Sequence, residues 1–174
     1  PEHARDGLRL ICGDMLSIPI KKEFRQIFFP CNTFSTLHNS YKKKLLENSL
    51  DLLADGGWFT ASFPNPAVMD ELPDQSDLEV EEVIEFPESG TPLQISSGWE
   101  KKGNEFTLIW GYDLLRLDGM VQHLEVRTLH YIHSHEEIRE LFEDAGFSEV
   151  ILWGDYDTSA YSEDSPYLIV SAQR

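Results

Sequence analysis

Leu53-Ala54-Asp55-Gly56-Gly57-Trp58-Phe59-Thr60-Ala61-Ser62-Phe63 is the stretch on which the reading of the chain turns. Its first leucine closes an apolar stripe: Leu46, Leu50 and Leu53 recur at i, i+4 and i+7, and Leu45 and Leu52 widen the same face. The basic run Lys42-Lys43-Lys44 is then expected on the opposite, solvated side of that helix. Gly56 suits the left-handed residue that ends a helix, and 58–63 follows as an apolar run of strand length. Upstream, 25–30 carries Ile27, Phe28 and Phe29 in succession, which reads as a strand apolar on both faces. Strand, helix, Gly-Gly turn and strand is the rhythm of a parallel α/β sheet.

Before this unit, the apolar run 8–12 ends in Gly13-Asp14 and reads as a buried strand feeding a loop. Cys12 and Cys31 both lie in such runs, so both thiols are expected to be buried. After the unit, Pro64, Pro66 and Pro73 break the rhythm. Residues 70–88 hold nine carboxylates and no basic residue; a solvated acidic face is the plain reading, and no ligand spacing there favours a metal. Leu93, Ile95, Ser97 and Trp99 then alternate up to a turn at Lys102-Gly103-Asn104. Phe106, Leu108, Trp110, Tyr112 and Leu114 alternate up to a turn at Asp118-Gly119. Segments 92–100, 105–117 and 120–132 are therefore expected to form an antiparallel meander with one aromatic face. Ser134-His135-Glu136-Glu137 is a capping box, followed by Ile138, Leu141, Phe142 and Ala145 at helical spacing and stopped by Gly146. Strands are expected at 150–153 and 167–170, with a loop between them.

The 174 residues are the length of one domain and can bury a real core. Fourteen Lys+Arg against 31 Asp+Glu leave a formal charge of −17, which repels phosphate backbones and anionic lipid. Neither nucleic acid nor membrane is expected as a partner. No apolar stretch reaches the length of a membrane span and no signal peptide opens the chain, so a cytoplasmic location is the default expectation. Two cysteines cannot build a disulfide scaffold or a four-ligand zinc site. There is no G-x-S-x-G elbow, no P-loop and no C-x-x-C.

An open α/β sheet binds ligands beyond the carboxyl ends of its strands. Three segments reach that edge: Cys12-Gly13-Asp14-Met15, Pro30-Cys31-Asn32-Thr33 and Phe63-Pro64-Asn65. Asp14 can accept a hydrogen bond from an exocyclic amine, or simply cap its own turn. Met15 offers a backbone N–H and a soft side chain to a flat ring. Among the six histidines, His38 is the best placed as a base, shortly after the second strand. His130 and His133, on opposite faces of a strand, read as structural or surface residues.

Gly13-Asp14-Met15, the strand ending in Pro30-Cys31-Asn32-Thr33-Phe34, and Leu53-Ala54-Asp55-Gly56-Gly57 before a strand together resemble the middle of a class I S-adenosylmethionine-dependent methyltransferase. The stretch from Glu136-Glu137-Ile138 through Ala145-Gly146-Phe147 is similar to that fold's last helix and sixth strand, with Gly154-Asp155-Tyr156-Asp157 in the closing hairpin. Small-molecule methyltransferases with an antiparallel insertion after the fifth strand, such as the amino-sugar N-methyltransferases, are the nearest subgroup. The resemblance implies an α/β, Rossmann-like methyltransferase sheet, strands 3 to 7 of the order 3-2-1-4-5-7-6, with an inserted antiparallel meander. It divides the chain into a partial core over 1–66, an acidic linker and substrate cap over 67–132, and the last helix and closing hairpin over 133–174.

It further implies S-adenosyl-L-methionine as methyl donor, with Asp14 and Met15 at the adenine and Pro30, Cys31, Asn32 and Thr33 around the methionine moiety. The acceptor would be a small molecule methylated on N or O, roofed by Trp99, Trp110, Tyr112 and Tyr131, with Tyr156 beside them and His38 as candidate base; no metal is implied. The family's Gly-rich loop and ribose-binding acidic residue have no counterpart here, so the chain is expected to be a fragment, inactive alone. Strand 4 would then be an open edge through which the chain could dimerise. A non-enzymatic α/β binding module and a nucleotide-dependent oxidoreductase are the alternative readings.

Overall fold

The protein is described by a computed structural model covering residues 8–17, 20 and 23–174. Two four-stranded sheets organise it. The first begins with β1 (Phe24–Phe29), crosses over through a short 3-10 turn (Thr33–Thr36) and helix α1 (Asn39–Leu52), and returns as β2 (Leu53–Phe63). β1 and β2 are parallel neighbours, with Phe28 opposite Thr60 and Phe29 opposite Ala61, as the rhythm of the sequence predicts. Helix α2 (Pro66–Glu71) then leads into the second sheet, formed by β3 (Glu79–Glu85), β4 (Pro92–Lys102), β5 (Glu105–Leu115) and β6 (Val121–Tyr131) in simple antiparallel order. Helix α3 (His135–Asp144) returns the chain to the first sheet, where β7 (Glu149–Trp153) and β8 (Leu168–Gln173) complete the order β1-β2-β8-β7. β8 runs antiparallel to both of its neighbours.

The core lies between the first sheet and the two long helices. Phe34, Phe59 and Phe142 are fully buried there with Leu46, Leu53 and Val170. Phe34 meets Phe63 edge-on at 5.4 Å between ring centroids, and Phe59 lies 5.6 Å from Phe142, so aromatic quadrupole geometry adds to area burial. Helix α3 is capped as its sequence predicts: Ser134 Oγ accepts from Glu137 N and Glu137 Oε2 accepts from Ser134 N.

Ahead of β3, residues 74–76 continue the antiparallel pairing along the edge of β4. Ser76 N donates to Trp99 O at 2.9 Å and Gln75 bridges to Glu100. Between this pairing and β3 the chain comes close to Gly98, where a Cβ would stand 3.0 Å from Asp77 O.

Four expectations fail, each for a local reason. Residues 8–12 form no strand: Leu8, Leu10 and Ile11 are exposed, because no strand stands beside them among the described residues. Strand 3 of the implied sheet is therefore not formed within the described residues. Neither cysteine is buried. Cys12 shares the exposure of that run, and Cys31 lies beyond β1 in a turn with left-handed backbone, φ 58°. The helix stripe is rotated from the expected one, so Lys42, Leu45, Leu46 and Ser49 face inward and only Lys43 and Lys44 reach solvent. Finally, α1 ends at Leu52 without a glycine; Gly56, φ 72°, instead sits in an irregularity of β2, where the register with β1 shifts between Phe24 and Gln26. The acidic stretch adds a strand the sequence does not announce: β3, an exposed edge on β4.

Candidate functional site

β1 ends in a turn that the backbone does not adopt readily. Cys31 and Asn32 are both left-handed, with φ 58° and 56°. Such conformations cost of order 1 kcal/mol each for non-glycine residues, and they persist only where surrounding bonds hold them. Here four bonds do. Asn32 N donates to Ser62 Oγ on β2 at 3.0 Å, and Thr33 N donates to Pro30 O. Asn32 O accepts from both the N–H of Ser35, at 3.1 Å, and its hydroxyl, at 2.6 Å.

The inner face of the second sheet stands over this turn. In β5 the alternation puts Phe106, Leu108 and Trp110 on one face, and the register places His130 and Thr128 of β6 beside them. Between that face and the turn lies a cavity of about 500 Å³ lined by Cys31, Asn32, Thr33, Trp110, Thr128 and His130, among others. It sits beyond the carboxyl ends of the two parallel strands. Its lining holds no carboxylate, ammonium or guanidinium.

His130 is the polar centre of this cavity, and its hydrogen bonds determine its tautomer. Ser35 Oγ lies 2.6 Å from Asn32 O and 2.8 Å from His130 Nδ1. A carbonyl can only accept, so the serine proton goes to Asn32 O and the oxygen must accept from His130 Nδ1–H. Nε2 is then the nitrogen with the lone pair, and no protein hydrogen bond engages it among the described residues. Burial lowers the pKa of the ring, which favours this neutral form.

The remaining sequence candidates are dispersed. Trp99 and Tyr112 share the inner face with Trp110; Trp99 stacks on Phe106 and donates its indole N–H to Pro73 O at 3.0 Å. Tyr131 belongs to the opposite face, pairing with Glu105 where His130 pairs with Phe106, and its ring meets the edge of His38 at 5.7 Å. His38 is the N-cap of α1, with its ring nitrogen taken by Ser40. Asp14 Oδ1 accepts from Leu16 N at 2.9 Å, the turn-capping bond, while Met15 lines a separate apolar cavity between β1 and α1. Pro30 accepts from Thr33 within the turn. Tyr156 packs on Tyr167 in the closing loop. Cys31, Asn32, Thr33 and Trp110 are thus brought together, and the others are not. Among the described residues no cluster of His, Cys, Asp or Glu could hold a metal ion, and no helix is long and apolar enough to cross a membrane.

No family model matches the sequence, and no curated protein matches it. Solved structures do share the fold. A sugar N-methyltransferase from a Streptoalloteichus species matches with a TM-score of 0.77 at 14% identity, over 99% of this chain and 65% of that one. An amino pentose methyltransferase from Micromonospora echinaspora, solved with S-adenosylmethionine bound, matches with a TM-score of 0.73 at 16% identity, over 99% and 67%. An S-adenosylmethionine-dependent methyltransferase from Clostridium acetobutylicum matches with a TM-score of 0.73 at 11% identity, over 95% and 64%. At these identities the likeness shows a methyltransferase fold. The chain spans 64% to 67% of the length of those three structures.

Proposed function

We propose that this chain carries the acceptor side of an S-adenosylmethionine-dependent methyltransferase, acting on a nitrogen or oxygen of a small molecule. The observation that supports it best is the neutral cavity between the strained Cys31-Asn32 turn and the aromatic face of the second sheet. The bound cofactor would supply an electrophilic sulfonium methyl. A cation suits a cavity with no cationic side chain, in a chain of net charge −17. The turn residues Cys31, Asn32 and Thr33 would hold its methionine end. Asp14 and Met15 would meet the adenine, Asp14 through the carboxylate oxygen that Leu16 leaves free.

The acceptor would lie against Trp110, with Trp99 and Tyr112 extending the same aromatic shelf. His130 Nε2, held as a lone pair by the Ser35–Asn32 pair, would take the proton that the acceptor sheds. His38 is replaced in this role, because its ring caps a helix. Positioning supplies most of the rate for such a transfer, and a poised base adds to it.

The 174 residues contain no Gly-x-Gly loop after a strand, so adenosylmethionine is expected to bind this chain weakly. Protection of Cys31 tests the site directly. In a Cys12→Ser background, millimolar adenosylhomocysteine should slow maleimide labelling of Cys31 severalfold. Unchanged labelling would remove the cofactor from this cavity.

A further inference from the structure

A second cavity, of about 320 Å³, opens between the first turns of α1 and α3, lined by Asn39, Lys42, Asn104, His133, Glu137 and the apolar Phe63, Ile138 and Leu141. One polar group in its wall is weakly partnered and another has no partner. Lys42 is fully buried, yet its ammonium has one hydrogen bond, to Asn39 Oδ1 at the long distance of 3.5 Å, and a ring, Tyr131, 5.6 Å away. Lys101 shows how this protein satisfies an ammonium elsewhere: three carbonyls, of Met69, Asp70 and Leu72, accept from it at 2.7 to 3.2 Å. His133 Nε2 is buried with no hydrogen bond, while Nδ1 lies 3.5 Å from Glu137 Oε2. Glu137 is itself committed to the cap of α3. The first turn of α1 holds no acidic residue, so its macrodipole and Lys42 place positive potential on its side of the cavity, opposite Glu137 in the first turn of α3.

We propose that this cavity is a second ligand site, distinct from the methyl-transfer cavity, that takes the carboxylate of a small organic acid. The carboxylate would accept from Lys42 Nζ and from the Nε2–H that His133 carries as one neutral tautomer or as the imidazolium. Asn39 and Asn104 would supply amide donors, and the acid's apolar body would lie on Phe63, Ile138 and Leu141. A buried cation is normally paired, but Glu137, the carboxylate that lines the cavity and pulls on Lys42, makes no salt bridge to it and is engaged instead by Ser134 N and His133. Burial also pushes the Lys42 pKa down to about 8, against the pull of Glu137, which an arriving carboxylate would reverse.

Hexanoate is the probe, titrated calorimetrically into the whole chain at pH 7, with hexanol and inorganic phosphate as controls. Hexanoate should bind saturably and hexanol should not. Lys42→Met should weaken binding by roughly tenfold to a hundredfold, the loss expected for one buried charged hydrogen bond. Asn104→Leu, in an exposed turn that leaves Lys42 and the core untouched, should independently weaken it severalfold. The inference is overturned if hexanoate binding is absent or indifferent to both variants. It is equally overturned if phosphate binds better than hexanoate, since the apolar wall would then play no part.

Discussion

Replacing Lys42 by methionine should stabilise this protein at neutral pH, by an amount that vanishes in alkali. The side chain is fully buried, and burial lowers its pKa from 10.5 to about 8. A fall of that size corresponds to about 3 kcal/mol against the charged form in the native state. Between about pH 8 and 10.5 the unfolded chain keeps the Lys42 proton and the native one does not, so stability rises with pH across that window. Below it the native state carries the full penalty. Methionine keeps the length of the stem and removes the charge. It also removes the long bond to Asn39 and the ring contact with Tyr131, together worth about 1 kcal/mol. The net gain at pH 7 is then about 2 kcal/mol. Urea unfolding of both proteins at pH 7, 8, 9 and 10 isolates the effect, because groups not coupled to Lys42 cancel in the difference and His133, which is coupled to it, is lowered below its ordinary 6.5 and titrates beneath this range. The gap should shrink steadily above pH 8. A variant less stable than the parent by the same margin at every pH would refute the reasoning.

Four further outcomes follow from the same geometry. Long-range nitrogen–proton NMR should find His130 protonated on Nδ1 with a pKa below the ordinary 6.5, and Ser35→Ala should mix the tautomers; a ring protonated on Nε2 would remove the proposed base. Because burial lowers both His130 and His133, stability should also fall as pH drops below 6.5, where the unfolded chain binds more protons than the native one. Asn65 is buried and makes four hydrogen bonds, to Ala67 N, the Tyr161 hydroxyl and the carbonyls of Glu163 and Ser165, so Asn65→Ala should cost about 3 kcal/mol or more in urea unfolding. A loss below about 1 kcal/mol would contradict that network. Among the described residues β1 is the outer strand of its sheet and exposes its Phe28, so sedimentation should show concentration-dependent dimers that Phe28→Lys weakens; a strict monomer at high concentration would exclude edge pairing.

Elements with strong periodicity were legible in the sequence. Alternation with glycine turns yields the meander, and the capping box before Ile138 yields α3. What could not be read depends on how elements dock. The buried stripe of α1 runs through 42, 45, 46 and 49, itself a helical spacing, but choosing it over the leucine-rich alternative requires knowing that β6 and α3 cover the first turn. β3 is exposed at every residue but Ile84, so its sparse apolar residues follow no buried alternation that could be detected. His130 was within reach: counting pairs outward from the Asp118-Gly119 turn sets it opposite Phe106, on the aromatic face. The left-handed pair Cys31-Asn32 was not, since only the asparagine hints at such a backbone and the bonds that hold it come from Ser35 and Ser62.

The order β1-β2-β8-β7 has a consequence for how the molecule is made. β8 supplies Leu168 and Val170 to the core and is wedged between two strands synthesised before it. Beyond it, the backbone N–H of Arg174 ties to Gly57 O at 2.9 Å, a closure spanning most of the chain. While the ribosome is still working, β2 and β7 each wait with an unpaired edge and Phe59 and Phe63 lack their cover. Such long-range closure slows folding and leaves nascent chains prone to association. Helix α1 and the self-contained meander can form early, so assembly should begin there and finish at the sheet of β1, β2, β8 and β7.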